Sequence, residues 1–425
     1  MQVANVEKPN SKTNTIVFAY GEVVDTHENL RKIMNNFGTE INSMQGMMWD
    51  GKLIKVFLFG DYKFYTSLYG LSGAAGVHPC LWCTATRLQM KSHNQGEYCP
   101  RTIDSLKECY YKFELEGNLN LDLAKFYKNC IDLPMIFVPV DKIAPPILHV
   151  LLGLMKKHHE LLEQLADLLD RMILEQDKNK LVKEGISFKR KGSNWREAER
   201  LRDQADYLKT KKKFSNDLEV DIDTRDDNRE SYSRLKKKYD DIQFGQLELR
   251  DGPISSQLDP IMDKAGVVYV KQFNRSYLGN HCHKYFIDKV YEKCSEAIVE
   301  KTKTLTVDEY IIRFAIEQTR YYNNLNDAYR EVHIKISHSE PITDDSDYQT
   351  IETAINNYMT LYRLQHASKV TPKHHILEHH CLPWIRAYKF GLGFHSKSGG
   401  ELCHSSIRTA EVAARHIRNA EERNT

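Results

Sequence analysis

The stretch Lys55-Val56-Phe57-Leu58-Phe59-Gly60-Asp61 decides how this chain reads. Its apolar, largely β-branched and aromatic run is long enough for one buried strand, and Gly60-Asp61 ends it. The pattern therefore predicts an aspartate presented at a strand end. A carboxylate in that position is suited to holding Mg²⁺. Upstream, Thr15 to Tyr20 is a second strand candidate, and Glu28 to Phe37 predicts a helix closed by Gly38. With Leu53 to Phe59 as the other strand, residues 1–70 read as α/β.

Downstream, a glycine-rich turn from Gly70 to Gly76 delivers Cys80-Leu81-Trp82-Cys83. A CxxC turn supplies two thiolates to one side of a metal, and Zn²⁺ favours four nitrogen or sulfur ligands. The other pair must come from elsewhere. Residues 373–380 read Lys-His-His-Ile-Leu-Glu-His-His and offer two registers, His374 with His379 or His375 with His380. A five-residue step spreads side chains on an ordinary helix, which predicts a pair at a helix end or across a turn. Buried cysteines and surface histidines are the plain alternative. Asp61 lies a short way before the cysteines and Glu401 a short way after the histidines, so a zinc bridge would draw the two carboxylates together. That pairing suits an RNase H-like nuclease, in which carboxylates hold two divalent ions. Taken singly, Asp61 reads as a turn former and Glu401 as a helix-start acid beside Gly399-Gly400.

From about residue 100 the pattern turns helical. Pro145-Pro146 precedes a stripe of Leu151, Met155, Leu162, Leu165, Leu169 and Met172, interrupted by His158. The expected partner is Trp195 to Phe214, which would make a helical hairpin over about 147–214. Charge dominates about 209–250, which reads as a solvated arm. Residues 260–330 and 348–365 return to amphipathic helix. Lys189-Arg190-Lys191 and Lys211-Lys212-Lys213 are candidates for phosphate contacts, with surface solvation as the alternative. His281-Cys282-His283 resembles a metal tripod on paper, but adjacent residues point different ways.

Composition narrows the class. The 425 residues are 41% hydrophobic and 28% charged, with a formal net charge of +2, so nucleic-acid affinity must come from local basic patches. A mean hydropathy of -0.56, the lack of a long apolar run and the lack of a basic-then-apolar start argue against a membrane span or signal peptide. Nine scattered cysteines, of which only Cys80 and Cys83 have metal-ligand spacing, do not resemble a secreted disulfide framework. An intracellular protein is expected.

The chain also resembles the RAG-type recombinase group: the catalytic subunit of the V(D)J recombinase, Transib transposases and invertebrate RAG-like relatives. The resemblance runs through Glu7 to Ser11, Asp25 to Leu30, Gly60-Asp61-Tyr62, Leu71-Ser72-Gly73, the CLWC turn with Ala85-Thr86-Arg87, Leu258 to Met262, Val370 to Lys373 and Gly399-Gly400-Glu401. It implies that Asp61 is the second catalytic aspartate, Glu401 the catalytic glutamate, and Cys80 and Cys83 the cysteine half of a zinc site. Counting from Thr371 it favours His375 and His380 for the histidine half, with His374 and His379 as the fallback. The family's first catalytic aspartate precedes the segment matching Glu7 to Ser11, so the resemblance implies an N-terminally truncated DDE triad. Glu22 and Asp25 fall beyond the following strand and are poor substitutes.

The expected fold is therefore α/β with a large α-helical insertion: a partial RNase H-like core over 1–70, a zinc-linked insertion over 71–370, and a terminal segment over 371–425 carrying the histidines and the catalytic-type helix. The expected function is that of a transposase-derived, DNA-associated core with impaired catalysis, in the nucleus. Zinc is the structural ion, and Mg²⁺ or Mn²⁺ the catalytic one if activity survives. DNA is the expected partner, a homodimer is allowed, and no membrane is involved. The alternatives are an active DDE strand-transfer enzyme and a non-catalytic protein-interaction module.

Overall fold

A computed structural model describes residues 26–92, 98–183, 252–268, 277–338, 340–342 and 344–393. The strand candidate Thr15 to Tyr20, the segment Glu7 to Ser11, Glu22, Asp25, the helix Trp195 to Phe214, the 209–250 arm, both basic clusters and Glu401 lie outside the described residues. The described chain is mostly helical. It divides into two compact units, one of residues 1–151 and 331–425 and the other of 152–330.

In the first unit, helix α1 (His27–Met44) starts on Thr26, whose hydroxyl accepts from the Asn29 amide at 3.2 Å. The helix runs straight through Gly38, which was expected to end it. Gly38 is buried, and a Cβ there would lie 3.2 Å from the Met135 carbonyl, so this glycine permits close packing and does not cap the helix. Beyond α1, strands β1 (Met48–Trp49) and β2 (Lys52–Leu53) form an antiparallel hairpin. The Asp50-Gly51 turn between them has φ of 48° and 70°, the left-handed values such hairpins require.

The strand expected over Leu53 to Phe59 forms only in part. Its first residue belongs to β2, and Leu58 makes a single parallel bridge to Ile143. Leu58 donates to the Lys142 carbonyl at 3.2 Å and accepts from Ala144 at 2.9 Å. Phe57 meets Tyr388 edge-on at 4.8 Å and Trp384 at 6.5 Å. These aromatic contacts come from a helix, and strand propensity is expressed only where neighbouring strands are present to pack against. Among the described residues, the β1–β2 hairpin is the only sheet.

Helix α2 (Tyr62–Leu68) follows, then α3 (Arg87–Lys91) and α4 (Ile103–Leu115). Gly70, at φ 70°, is clasped from behind: Ile131 and Asp132 both donate to its carbonyl, and a Cβ would fall 1.9 Å from the Asp132 oxygen.

Helix α5 (Ile147–Lys183) carries the expected stripe, and the boundary between the units falls within it. Leu151, Met155, Leu162, Leu165 and Leu169 are buried; Met172 is half-buried, and its neighbour Ile173 takes the inward place. In the second unit, α6 (Leu258–Lys264), α7 (Gly279–Ile287), α8 (Val290–Leu305) and the first part of α9 (Glu309–Ile336) accompany α5. His158 does not interrupt the stripe. It is buried against Phe286 and Tyr329, with Nδ1 3.0 Å from Asn326 Oδ1. Partners for α5 thus come from α7 and α9. Asp170 on α5 accepts from the Ile254 and Ser255 amides at 2.9 Å each, satisfying the start of the turn before α6.

The first unit is completed by α10 (Asp345–His366), α11 (Pro372–Ile376), a single π-helical turn (Leu377–Cys381) and α12 (Leu382–Tyr388). No helix among the described residues is long and apolar enough to cross a membrane.

Candidate metal centre

Four side chains from two distant stretches converge in the first unit. Cys80 Sγ lies 3.2 Å from His380 Nε2, Cys83 Sγ lies 3.2 Å from His375 Nε2, and the two Nε2 atoms are 3.2 Å apart. All four ligand atoms lie within 4.8 Å of one another. A tetrahedral zinc with ordinary Zn–S and Zn–N lengths separates its ligands by roughly 3.3–3.8 Å, so the donor set and spacing fit such an ion. The cysteines and His375 are buried and His380 is half-buried.

The histidine register follows from the backbone. His375 sits in α11 and His380 in the π turn. A π turn bonds i to i+5, so residues five apart come onto one face. The pair therefore lies inside a continuous helical stretch, not at the helix end or turn that the sequence suggested. His374 points away, buried between Tyr362 at 4.1 Å and Tyr358 at 6.2 Å, with Nδ1 accepting from the Thr371 amide at 3.2 Å. His379 turns to Glu378, 3.3 Å away. The fallback pair is not brought together with the cysteines.

Electrostatics within the cluster favour the metal-ready forms of Cys83 and His375. The Cys80 thiol, with help from His375 and His380, draws Cys83 far below the ordinary thiol range, while burial and the Cys83 anion push Cys80 up. Burial lowers His375, keeping its imidazole neutral. A cation at the centre would stabilise both thiolates.

Residues that sequence reasoning passed over support this geometry. The buried Arg101 donates through Nε to the Cys80 and Cys83 carbonyls at 3.0 Å each, and through Nη2 to the Lys128 carbonyl at 2.7 Å. One guanidinium thereby gathers the carbonyls of the CxxC turn. Asn129, at φ 61°, accepts from the His78 amide at 2.7 Å and donates to Ser72 at 2.9 Å, which holds the glycine-rich turn. Trp82 stacks on His380 at 5.6 Å, and Tyr98 meets His375 edge-on at 5.4 Å. On the far side, Arg363 of α10 grips Glu378 with bonds of 2.5 and 2.6 Å in a nearly buried pair. Burial opposes ionisation of Glu378, yet Arg363 and His379 outweigh it and hold the carboxyl at about 2. Trp82 and Glu378 lie within the motifs themselves, but Arg101, Asn129, Tyr98 and Arg363 are recruited across intervening residues and have no local signature.

Asp61 is placed differently. Its Oδ1 accepts from the Phe64 amide at 2.7 Å and caps α2. Next to it, the Tyr62 hydroxyl donates to the Pro79 carbonyl, and the Tyr62 ring stacks near Trp82 at 6.4 Å. Among the described residues, the Cys80, Cys83, His375 and His380 cluster is the only group of three or more His, Cys, Asp or Glu side chains arranged to hold a metal, and Asp61 is not in it. Glu401 and the candidate phosphate contacts Lys189, Arg190, Lys191, Lys211, Lys212 and Lys213 lie outside the described residues. No protein-family model and no curated protein matches the chain.

Proposed function

We propose that this chain is a RAG-like, transposase-derived core that associates with DNA, is organised by one structural zinc ion, and is impaired or inactive as a nuclease. The observation that carries the reading is the cluster itself: Cys80 and Cys83 meet His375 and His380 across 292 and 300 positions of chain. Those are the residues that the resemblance to RAG-type recombinases assigns to zinc. A centre closed by four protein ligands has no open position for substrate, so the ion would serve folding. Under this reading the hairpin and the Leu58 bridge belong to a partial RNase H-like core, and the protein works in the nucleus.

Impaired catalysis rests on Asp61. Two-metal cleavage needs several carboxylates around paired ions, and one oxygen of the Asp61 carboxylate is engaged by the Phe64 amide as the cap of α2. The four residues supply the ligands, and Arg101 fixes the backbone of the CxxC turn that carries two of them.

The test is a pair of assays on the zinc-loaded chain. Duplex DNA should bind at low salt, weaken steeply as salt rises, and bind less well when Lys189, Arg190 and Lys191 are neutralised together. Absence of binding at low salt sinks the DNA reading. In Mn²⁺, duplex and hairpin DNA should remain uncut; cleavage that Asp61→Ala and Glu401→Gln both abolish would make the chain an active DDE enzyme instead.

A further inference from the structure

The metal ligands carry two further stretches of chain with them. Helix α3 begins shortly after Cys83, and the turn at Ala367–Lys369 leads into α11, which bears His375. Within the first unit, α3 lies against both that turn and α11. In a chain whose bases and acids nearly balance, 60 against 58, residues 84–92 and 364–376 hold Arg87, Lys91, Lys369 and Lys373 and not one Asp or Glu. Arg87, Lys91 and Lys369 are exposed, and Lys373 is half-buried. Arg87 and Lys91 stand one helical turn apart on the same face of α3. Arg87 is held in place, because its Nη2 donates to the Ala74 carbonyl at 2.6 Å. The exposed neighbours Gln89, Ser92 and Ser368 are polar; the large apolar side chains exposed in these segments are Leu88 and Leu364, and no aromatic is exposed.

We propose that the surface where α3 meets residues 367–373 docks the phosphate backbone of duplex DNA. The inference rests on the DNA reading above and adds a second set of contacts to the Lys189, Arg190 and Lys191 candidates. Duplex DNA carries about one negative charge per 1.7 Å of axis, and each phosphate neutralised by a lysine or arginine releases condensed counterions. A cation cluster without carboxylates inside it makes such contacts with no competing internal pair. Amide and hydroxyl side chains beside the cations suit phosphate and sugar oxygens, which position a duplex without reading its sequence. A protein partner would draw its affinity from buried aromatic anchors, and these segments expose none. The two halves lie far apart in sequence and adjoin Cys83 and His375. Convergence of the metal ligands is therefore also what assembles the surface.

The experiment measures binding of two short duplexes of unrelated sequence to the zinc-loaded full-length chain across a salt series. Lys91→Gln combined with Lys369→Gln should reduce the slope of log affinity against log salt by about one per lysine. Binding should weaken roughly eightfold per lysine at about 0.1 M salt, equally for both duplexes. Lys32→Gln combined with Lys112→Gln removes the same charge from lysines that pair with Glu28 and Glu108 on α1 and α4, and should leave the slope unchanged. Acetylation of the intact chain, mapped by mass, needs no variant: bound duplex should protect Lys91 and Lys369 and leave Lys32 and Lys112 reactive. An unchanged slope with no protection, while DNA still binds, would overturn this surface and leave the DNA reading standing. No binding at low salt would remove both. Protection by poly-glutamate and not by DNA would assign the surface to an acidic protein and overturn the proposal.

Discussion

The CxxC turn and the Asp61 segment are neighbours in sequence, belong to one unit, and each promises metal chemistry on paper, yet the fold uses them differently. Cys80 and Cys83 meet two imidazoles from the far end of the chain, with every ligand atom within 4.8 Å of the others. Asp61 instead spends its carboxylate on a backbone amide three residues ahead. The difference lies in what surrounds each group. Arg101, Trp82 and the π turn hold the cysteine and histidine side chains at one point, whereas Asp61 sits at a helix start, where a carboxylate oxygen meets an orphan backbone amide.

The largest effect that could break this contrast comes from the metal centre. Structural zinc binding is worth on the order of 10 kcal/mol or more in small zinc domains, and that free energy is folding free energy. Cys83→Ser and His380→Ala should each lose about one bound Zn²⁺ per chain and broaden or abolish cooperative unfolding of the first unit. His379→Ala should keep the metal. Metal analysis with calorimetry checks all three, and a metal-free native chain would leave the four side chains as ordinary core.

Next in size is the Arg363–Glu378 pair behind the π turn. Removing one partner of a buried, bidentate pair costs about 3–5 kcal/mol because the other charge is stranded. Arg363→Met should therefore lower the urea midpoint more than Glu378→Gln, whose amide retains some hydrogen bonding. The pH dependence has a definite sign. Glu378 titrates at about 2 in the folded chain, below an ordinary glutamate, so its contribution is fully present above about pH 4.5 and is lost as pH falls towards 2. The stability gap between the intact chain and Glu378→Gln should narrow over that window, and an unchanged gap would rule out the ionised pair.

The smallest effect sharpens the other side of the comparison. Asp61→Ala should cost about 0.5–2 kcal/mol through the lost cap on α2, while Asp61→Asn should cost less, because asparagine also caps well. Thermal melts with and without Mn²⁺ would separate capping from metal binding. If Mn²⁺ stabilised the intact chain and neither variant, Asp61 would be a cation ligand and the contrast with the cysteines would vanish.

Much of this was legible in the sequence, and the failures have physical causes. The α5 stripe was readable because a helix places every third or fourth residue on one face. His158 looked like an interruption only because the sequence does not show Asn326, Phe286 and Tyr329 waiting beside it. Gly38 read as a stop signal because glycine ends helices more often than it permits close packing, and the Met135 carbonyl that requires a small residue there is far away in sequence. The Asp50-Gly51 hairpin went unread although its dipeptide is a strong local signal. The apolar run to Phe59 carries strand-like residues, but its aromatic partners Trp384 and Tyr388 arrive on a helix.

By itself, the sequence determined the chemical types available to this protein: two thiols at metal spacing, an eight-residue stretch with four histidines in two usable registers, and an aspartate after an apolar run. Those follow from side-chain identity and short-range spacing. Only the tertiary structure decided that His375 and His380 are the converging pair, because the choice turns on one π-helical turn and on the tyrosines that take His374 into the core. Only it decided that Arg101 joins the CxxC carbonyls to Cys130, and that Asp61 is a cap. Convergence across some three hundred residues is set by how the intervening helices pack, and no local pattern in the chain encodes where that packing will bring its ends.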